Sequence, residues 1–227
     1  MKILASWSSG KDSAWMLHRL QVDHPGAVQA LLTTTNDTFD RVAMHGVPRA
    51  VLAAQAQAAQ LPLHVVPLPW PCRNEEYERR MGAAVAGFVA EGFTHVSFGD
   101  LFLEDVRRYR EERLAGSGLA PLFPLWRVAD TAQLARTMIA GGLRATISTV
   151  DPRVLDASCA GRAFDLALLD ALPSSVDPCG ENGEFHTFVY DGPTFLRPLP
   201  VKVGLRHSCS RFHYCDLATK TALVKTS

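Results

Sequence analysis

The sequence predicts an α/β protein, a doubly wound parallel sheet followed by a smaller C-terminal α+β domain. Three observations predict it. Short apolar strand-like segments alternate with helical ones from the first residue through Asp100, the pattern of a parallel sheet with right-handed crossovers. The first strand runs through a small, polar, Gly-containing turn directly into a helix, within Met1 to Leu20. Beyond Trp126 the alternation gives way to helix, strand, helix and a terminal pair of strands. The expected domains are therefore residues 1–126 and 127–227.

Taken in order, Lys2 to Trp7 is the first strand, Ser8 to Ser13 the turn, and Ala14 to Leu20 the start of its helix. Such a turn aims backbone N–H groups and the positive end of the helix dipole at one spot, which suits a polyanion. Ser8, Ser9 and Ser13 add hydroxyls, and Lys11 adds a mobile charge. Ala27 to Thr35 is the second strand and ends in Thr33, Thr34 and Thr35, at the edge where open α/β sheets bind ligands; plain β-propensity explains the threonines equally well. Asn36 to Pro48 is a polar loop carrying Arg41 and His45, and His45 is a candidate substrate contact. Val51 to Leu61 is an Ala/Gln-rich helix, His64 to Pro69 a strand, Arg73 to Glu91 an amphipathic helix with a solvated charged face. His95 to Gly99 is the fourth strand and delivers Asp100. If the strand order reverses beside the first strand, a ligand crevice lies directly above Ser8 to Ser13 and Asp100 shares its edge.

On a helix from Glu104, Asp105, Arg108 and Glu112 share one face and Arg110 lies on another. That set either holds phosphate or forms a surface ion-pair ladder. Leu119 to Trp126 closes the sheet. Thr131 to Ala140 is a helix, Leu143 to Val150 a strand and Arg162 to Leu172 a helix. Asp177 to Phe195 is held by turns and displays Glu181, Glu184, His186 and Asp191; Pro198 to Ser208 and Arg211 to Val224 form an antiparallel pair.

Composition narrows the function. With 23 basic and 23 acidic residues the chain has no field for bulk nucleic-acid or membrane binding. Apolar runs fall short of the roughly 18 residues that span a bilayer, and the N-terminus has no secretory pattern, so a cytoplasmic location is expected. Five scattered cysteines without a C-x-x-C argue against a disulfide framework or zinc knuckle.

Ser8-Ser9-Gly10-Lys11-Asp12-Ser13 lacks the glycine spacing of the common P-loop and resembles the PP-loop, S-G-G-x-D-S, of ATP pyrophosphatases, with Ser9 in place of the first Gly. Together with Gly99-Asp100, the D-x-x-R-x-R-x-E run from Asp105 to Glu112, Pro124-Leu125-Trp126, Gly183-Glu184-Phe185-His186-Thr187 and Asp191-Gly192-Pro193, it resembles the diphthine-ammonia ligase (diphthamide synthetase) family of adenine nucleotide α hydrolases. The loop from Arg41 to Val47 and the lead Cys179-Gly180-Glu181-Asn182 mark a distinct branch.

The resemblance implies a Rossmann-like PP-loop (HUP) domain and a C-terminal domain that completes the substrate cleft. It implies ATP and Mg²⁺ as cofactors, with ammonia and a carboxylate acceptor as partners: diphthine on translation elongation factor 2, or another small acceptor. A second copy in a homodimer is a further partner to consider. Ser8, Ser9, Gly10, Lys11, Asp12 and Ser13 would hold the phosphates, with Thr33 and Gly99 beside the nucleotide and Asp12 contributing to Mg²⁺. Lys11, Asp12, Asp100, Glu184 and His186 would carry catalysis, Glu184 or His186 by taking the proton of ammonia. His45, Asp105, Arg108, Arg110, Glu112 and Asp191 would face the substrate. Two other readings use the same loop: a thiolating PP-loop enzyme, kept open by Cys179, and an ATP-binding sensor without turnover.

Overall fold

The protein is described by a computed structural model covering residues 1–38, 40–42, 46–209 and 211–219. His45 lies outside the described residues. The first sheet contains β1 (Ile3–Ser6), β2 (Val28–Asn36), the two-residue β3 (Arg41–Val42), β4 (Leu63–Leu68), β5 (His95–Ser97) and β6 (Ala120–Leu122). Leu31 and Leu32 pair with β1 on one side and β4 on the other, giving the parallel order β4-β2-β1-β5-β6, with β3 antiparallel to the end of β2. Chain order runs outward from β1 through β2 to β4, then returns to β5 on its other side. The switch point expected above the serine loop therefore lies between β1 and β5.

Alternation along β1 sorts the two faces. Ile3, Ala5 and Trp7 pack with α1 (Lys11–Asp23) and α2 (Arg49–Ala58). Leu4 packs on the opposite face with residues of α3 (Asn74–Ala90) and α4 (Glu104–Leu114). The second sheet is antiparallel, in the order β8 (Phe185–Asp191), β7 (Arg144–Val150), β10 (Phe212–Thr219), β9 (Val201–Cys209). Ile147, Phe188 and Leu217 of that sheet, with Leu134 and Met138 of α5 (Thr131–Ala140), join α1 and α2 in one continuous core. At the end of α5, Gly141 leaves room for the Trp15 ring, into which an added Cβ would run.

The mixed architecture agrees with the sequence reading, and the departures have local causes. The helix expected over Arg162 to Leu172 shortens to α6 (Leu166–Ala171). Its first residues are drawn into extended pairing with β7, through Ile147 N–H to Arg162 O (2.9 Å) and Phe164 N–H to Ala145 O (2.8 Å). Asp165 then caps the helix by accepting from Leu168 N–H at 2.8 Å. The stretch from Asp177 is a turn only as far as Glu184 and continues as β8. Among the described residues no helix is long and apolar enough to cross a membrane.

Candidate functional site

The serine loop sits where the topology demands. Gly10 precedes α1, the Ser8 hydroxyl donates to Ser13 Oγ at 3.2 Å, and the Ser13 hydroxyl donates to Gly10 O at 2.9 Å. Ser9 adopts φ 75°, the left-handed region that glycine occupies without strain. Its buried hydroxyl finds no hydrogen-bond partner among the described residues. The loop reaches the end of β5 because Gly99 has no side chain: a Cβ there would lie 2.9 Å from the Asp12 carbonyl carbon and 3.0 Å from its oxygen.

Strand β8 of the second sheet fixes this loop from behind. Val189 N–H donates to Ser9 O at 3.0 Å, and Lys11 N–H donates to Thr187 Oγ1 at 3.0 Å. Gln55 of α2, 0% exposed, joins three segments: its amide donates to Ser9 O (3.0 Å) and Val189 O (2.6 Å), and its carbonyl accepts from the Trp7 indole (3.0 Å). Two sheets thus hold one loop.

Lys11 departs from the mobile charge that the sequence suggests. It is 2% exposed, and its ammonium lies on both oxygens of Asp12 (2.8 and 3.0 Å) and on the Cys179 carbonyl. Burial opposes that charge, but Asp12 and the surrounding negative groups outweigh it and hold the Lys11 pKa above the ordinary lysine value. Burial also pushes the Asp12 carboxyl above the usual range, with Lys11 opposing. With Asp12 committed to Lys11, and no group of three His, Cys, Asp or Glu among the described residues arranged around a common point, these side chains form no resident metal centre. A magnesium ion fits here only as a companion of bound phosphates, its usual mode.

At the end of β5, Asp100 makes a two-point pair with Arg110, at 2.6 and 3.1 Å, and the guanidinium lies 4.2 Å from the centre of the Phe98 ring. Of Asp105, Arg108, Arg110 and Glu112 on α4, Arg110 is the one among the residues lining the cavity described below. Asp105, Arg108 and Glu112 are exposed and enter none of the ion pairs among the described residues, which run instead through Arg107–Glu111, Arg113–Glu78 and Arg127–Glu104. Asp191 lies at the far end of β8, where it accepts from Gly192 N–H at 2.9 Å.

Residues 177–184 close the crevice. Asp177 N–H and the Asn182 amide donate to Glu184 Oε1, at 2.9 and 3.1 Å, so Glu184, 5% exposed, holds the loop's shape. Glu181 N–H donates to Asp177 Oδ2 at 2.8 Å, and Leu101 N–H donates to Glu181 Oε1 at 2.8 Å. Gly180, at φ 67°, permits the turn, since a Cβ would sit 2.7 Å from Phe185 O. One short loop therefore touches the serine loop through Lys11 and the end of β5 through Leu101. Burial, Asp12 and Asp100 push the Glu181 carboxyl up to about 7, against the Leu101 N–H and Lys11.

A cavity of about 630 Å³ opens from this crevice. Ser8, Thr33, Arg110 and His186 are among its polar lining; Leu4, Leu32, Val85, Val96, Phe98 and Leu114 line it with apolar surface between the sheet, α3 and α4. An apolar hollow with a few convergent polar groups is the usual shape of a small-molecule site.

The loop that closes this crevice belongs to a segment with a family of its own. Residues 130–223 match the diphthamide synthase C-terminal domain. The match covers the second sheet together with residues 177–184 and supports a diphthamide synthase C-terminal domain over that segment. A search of curated proteins finds no match. Within the diphthamide synthase segment, Thr187 and Val189 are the residues that grip the serine loop, and Glu181 is the one that reaches Leu101. Sequence reasoning gave none of these a role, and it missed Gln55. The signal for Gln55 was present: a polar residue in register with Val51, Leu52 and Ala56 on the buried side of α2.

Proposed function

We propose that the protein is an ATP-dependent ligase of diphthamide synthesis, which adenylates a carboxylate and amidates it with ammonia. The observation that carries this reading is the closure of a β1/β5 switch-point crevice by a loop of the diphthamide synthase segment, over a serine loop of PP-loop type. Adenosine occupies the hollow between the sheet, α3 and α4, and the triphosphate, bringing Mg²⁺ with it, rests on Ser8 to Ser13 and the first turn of α1.

A carboxylate is a poor electrophile. Attack of its oxygen on the α-phosphorus expels pyrophosphate and gives an acyl adenylate; ammonia then attacks the acyl carbon and AMP leaves. Loop amides and the helix dipole face the charge that gathers on the phosphate oxygens. Lys11 acts by locking the loop to Asp12 and Cys179. His186 and Thr33, both lining the cavity, face the nucleotide. The acceptor is diphthine on elongation factor 2.

Cys179 weighs against the thiolating alternative. It is 1% exposed, burial pushes its thiol well above the ordinary range, and it donates to Thr131 O at 3.4 Å, so it is no sulfur carrier in this arrangement. The reading is tested by incubating the protein with ATP labelled at the α-phosphate, Mg²⁺, ammonium and diphthine-bearing elongation factor 2, then separating AMP from ADP. AMP that forms only with the acceptor present is expected. ADP would place the chemistry at the γ-phosphate and sink the ligase reading, and untouched ATP would make the protein a sensor.

A further inference from the structure

The geometry points to Glu181 as the carboxylate that takes the proton from ammonia as its nitrogen attacks the acyl carbon, an assignment that rests on the ligase reading above. The carboxylates around the crevice differ in what already holds them. Asp12 carries the Lys11 ammonium on both oxygens, and Asp100 carries the Arg110 guanidinium. Asp177 accepts from the Glu181 N–H. Glu184 spends Oε1 on Asp177 N–H and the Asn182 amide, and its Oε2, though it too takes no hydrogen bond among the described residues, is buried, whereas Glu181 is only half-buried. Glu181 uses Oε1 on Leu101 N–H, at 2.8 Å, and its Oε2 takes no hydrogen bond among the described residues.

Its position is over-determined. The side chain is anchored to the residue following Asp100, at the switch point, and its backbone is anchored through Asp177 to Glu184. The charged groups facing it are Lys11 and Asp12 from the start of α1 and Asp100, backed by Arg110, from the end of β5; Asp177 and the protonated Cys179 come from its own loop. Burial, aided by the negative Asp12 and Asp100, brings its carboxyl up to about 7, where a general base combines ionisation with basicity near neutral pH.

In the step assigned to it, the nitrogen lone pair forms the C–N bond and the bond from the acyl carbon to the phosphate oxygen breaks. AMP leaves with that electron pair. One N–H proton passes to Glu181 Oε2 and from there to solvent.

Glu181→Gln tests this, because the amide keeps an oxygen for Leu101 N–H. Wild type and variant are compared with ATP, Mg²⁺, ammonium and diphthine-bearing elongation factor 2, following acceptor-dependent ATP–pyrophosphate exchange and amide formation from pH 5.5 to 8.5. The variant is expected to exchange pyrophosphate at the wild-type rate while amide formation falls about 100-fold and loses the rise near pH 7. Glu181→Asp, which restores a carboxylate, is expected to recover part of the rate and the rise. Amide formation at the wild-type rate in Glu181→Gln, or an equal loss of exchange and amidation, would overturn the assignment alone. A wild type that forms no AMP would remove the ligase reading and this assignment with it.

Discussion

The two faces of the first sheet are built to opposite standards. On one, α1 buries Trp15, Met16, Leu17 and Leu20 against Ile3, Ala5 and the second sheet, and polar staples such as Gln55 are fully satisfied. On the other, α3 runs 17 residues yet buries only Phe88, and the small Gly82 and Ala86 that it turns to the hollow leave the distance to the strands unfilled. An added Cβ at Gly82 would meet nothing within 4 Å. A structural face with a hollow of about 630 Å³ forgoes the dispersion and burial that close packing supplies. The difference teaches that the packed face fixes the serine loop, while the other face keeps a hollow beside it, the one the proposed function fills with nucleotide.

The comparison breaks most visibly at Gln55. Gln55→Ala removes the acceptor of the buried Trp7 indole and one donor each from the carbonyls of Val189 and Ser9, the latter keeping its bond from Val189 N–H, and is expected to cost about 3 kcal/mol, read as a lower urea midpoint with unchanged slope. Next comes a matched pair. Gly141→Ala drives a methyl into Trp15 and is expected to cost about 2 kcal/mol, whereas Gly82→Ala, in an open helical position, is expected to add about 1 kcal/mol. Similar effects at both glycines in urea unfolding would erase the distinction between the faces.

Gly82→Phe sharpens it from the ligand's side. The ring fills the hollow, so ATP affinity by calorimetry is expected to fall at least about 10-fold, roughly 1.4 kcal/mol, with the melting temperature no lower than wild type. Unchanged affinity would exclude the hollow as the nucleotide site. The smallest effect is at Ser9. Ser9→Gly relieves a left-handed φ and removes a buried, unpartnered hydroxyl, partly offset by the entropy of a freer unfolded chain, for a net gain of about 0.5–1 kcal/mol. That is a rise of about 2 °C in Tm by calorimetry.

The alternation of strands and helices was legible because each parallel strand and each amphipathic helix writes its own period, and the strand–turn–helix at Ser8 to Ser13 wrote the switch point. β3 was not legible: two residues carry no period, and their pairing depends on the end of β2. The polarity of side chains at the site was equally opaque. Lys11 reads as a phosphate contact but finds Asp12 and the carbonyl of Cys179, 168 residues away in the chain. Glu184 and Glu181, three positions apart, read alike; only tertiary contacts make one a buried brace and the other a crevice carboxylate. Asp105 and Arg108 fit a family pattern, yet the helix turns them to solvent.

The central claim is that the hollow face and the serine loop together hold ATP under residues 177–184. It is tested most directly by a crystal structure of the protein with the α,β-methylene analogue of ATP, which resists cleavage at the bond in question. The account predicts the base between α3 and α4 and the α-phosphate over Ser8 to Ser13, beside Glu181. A nucleotide bound instead in the separate cleft between Phe102 and Ser175, or on the second sheet, would contradict it.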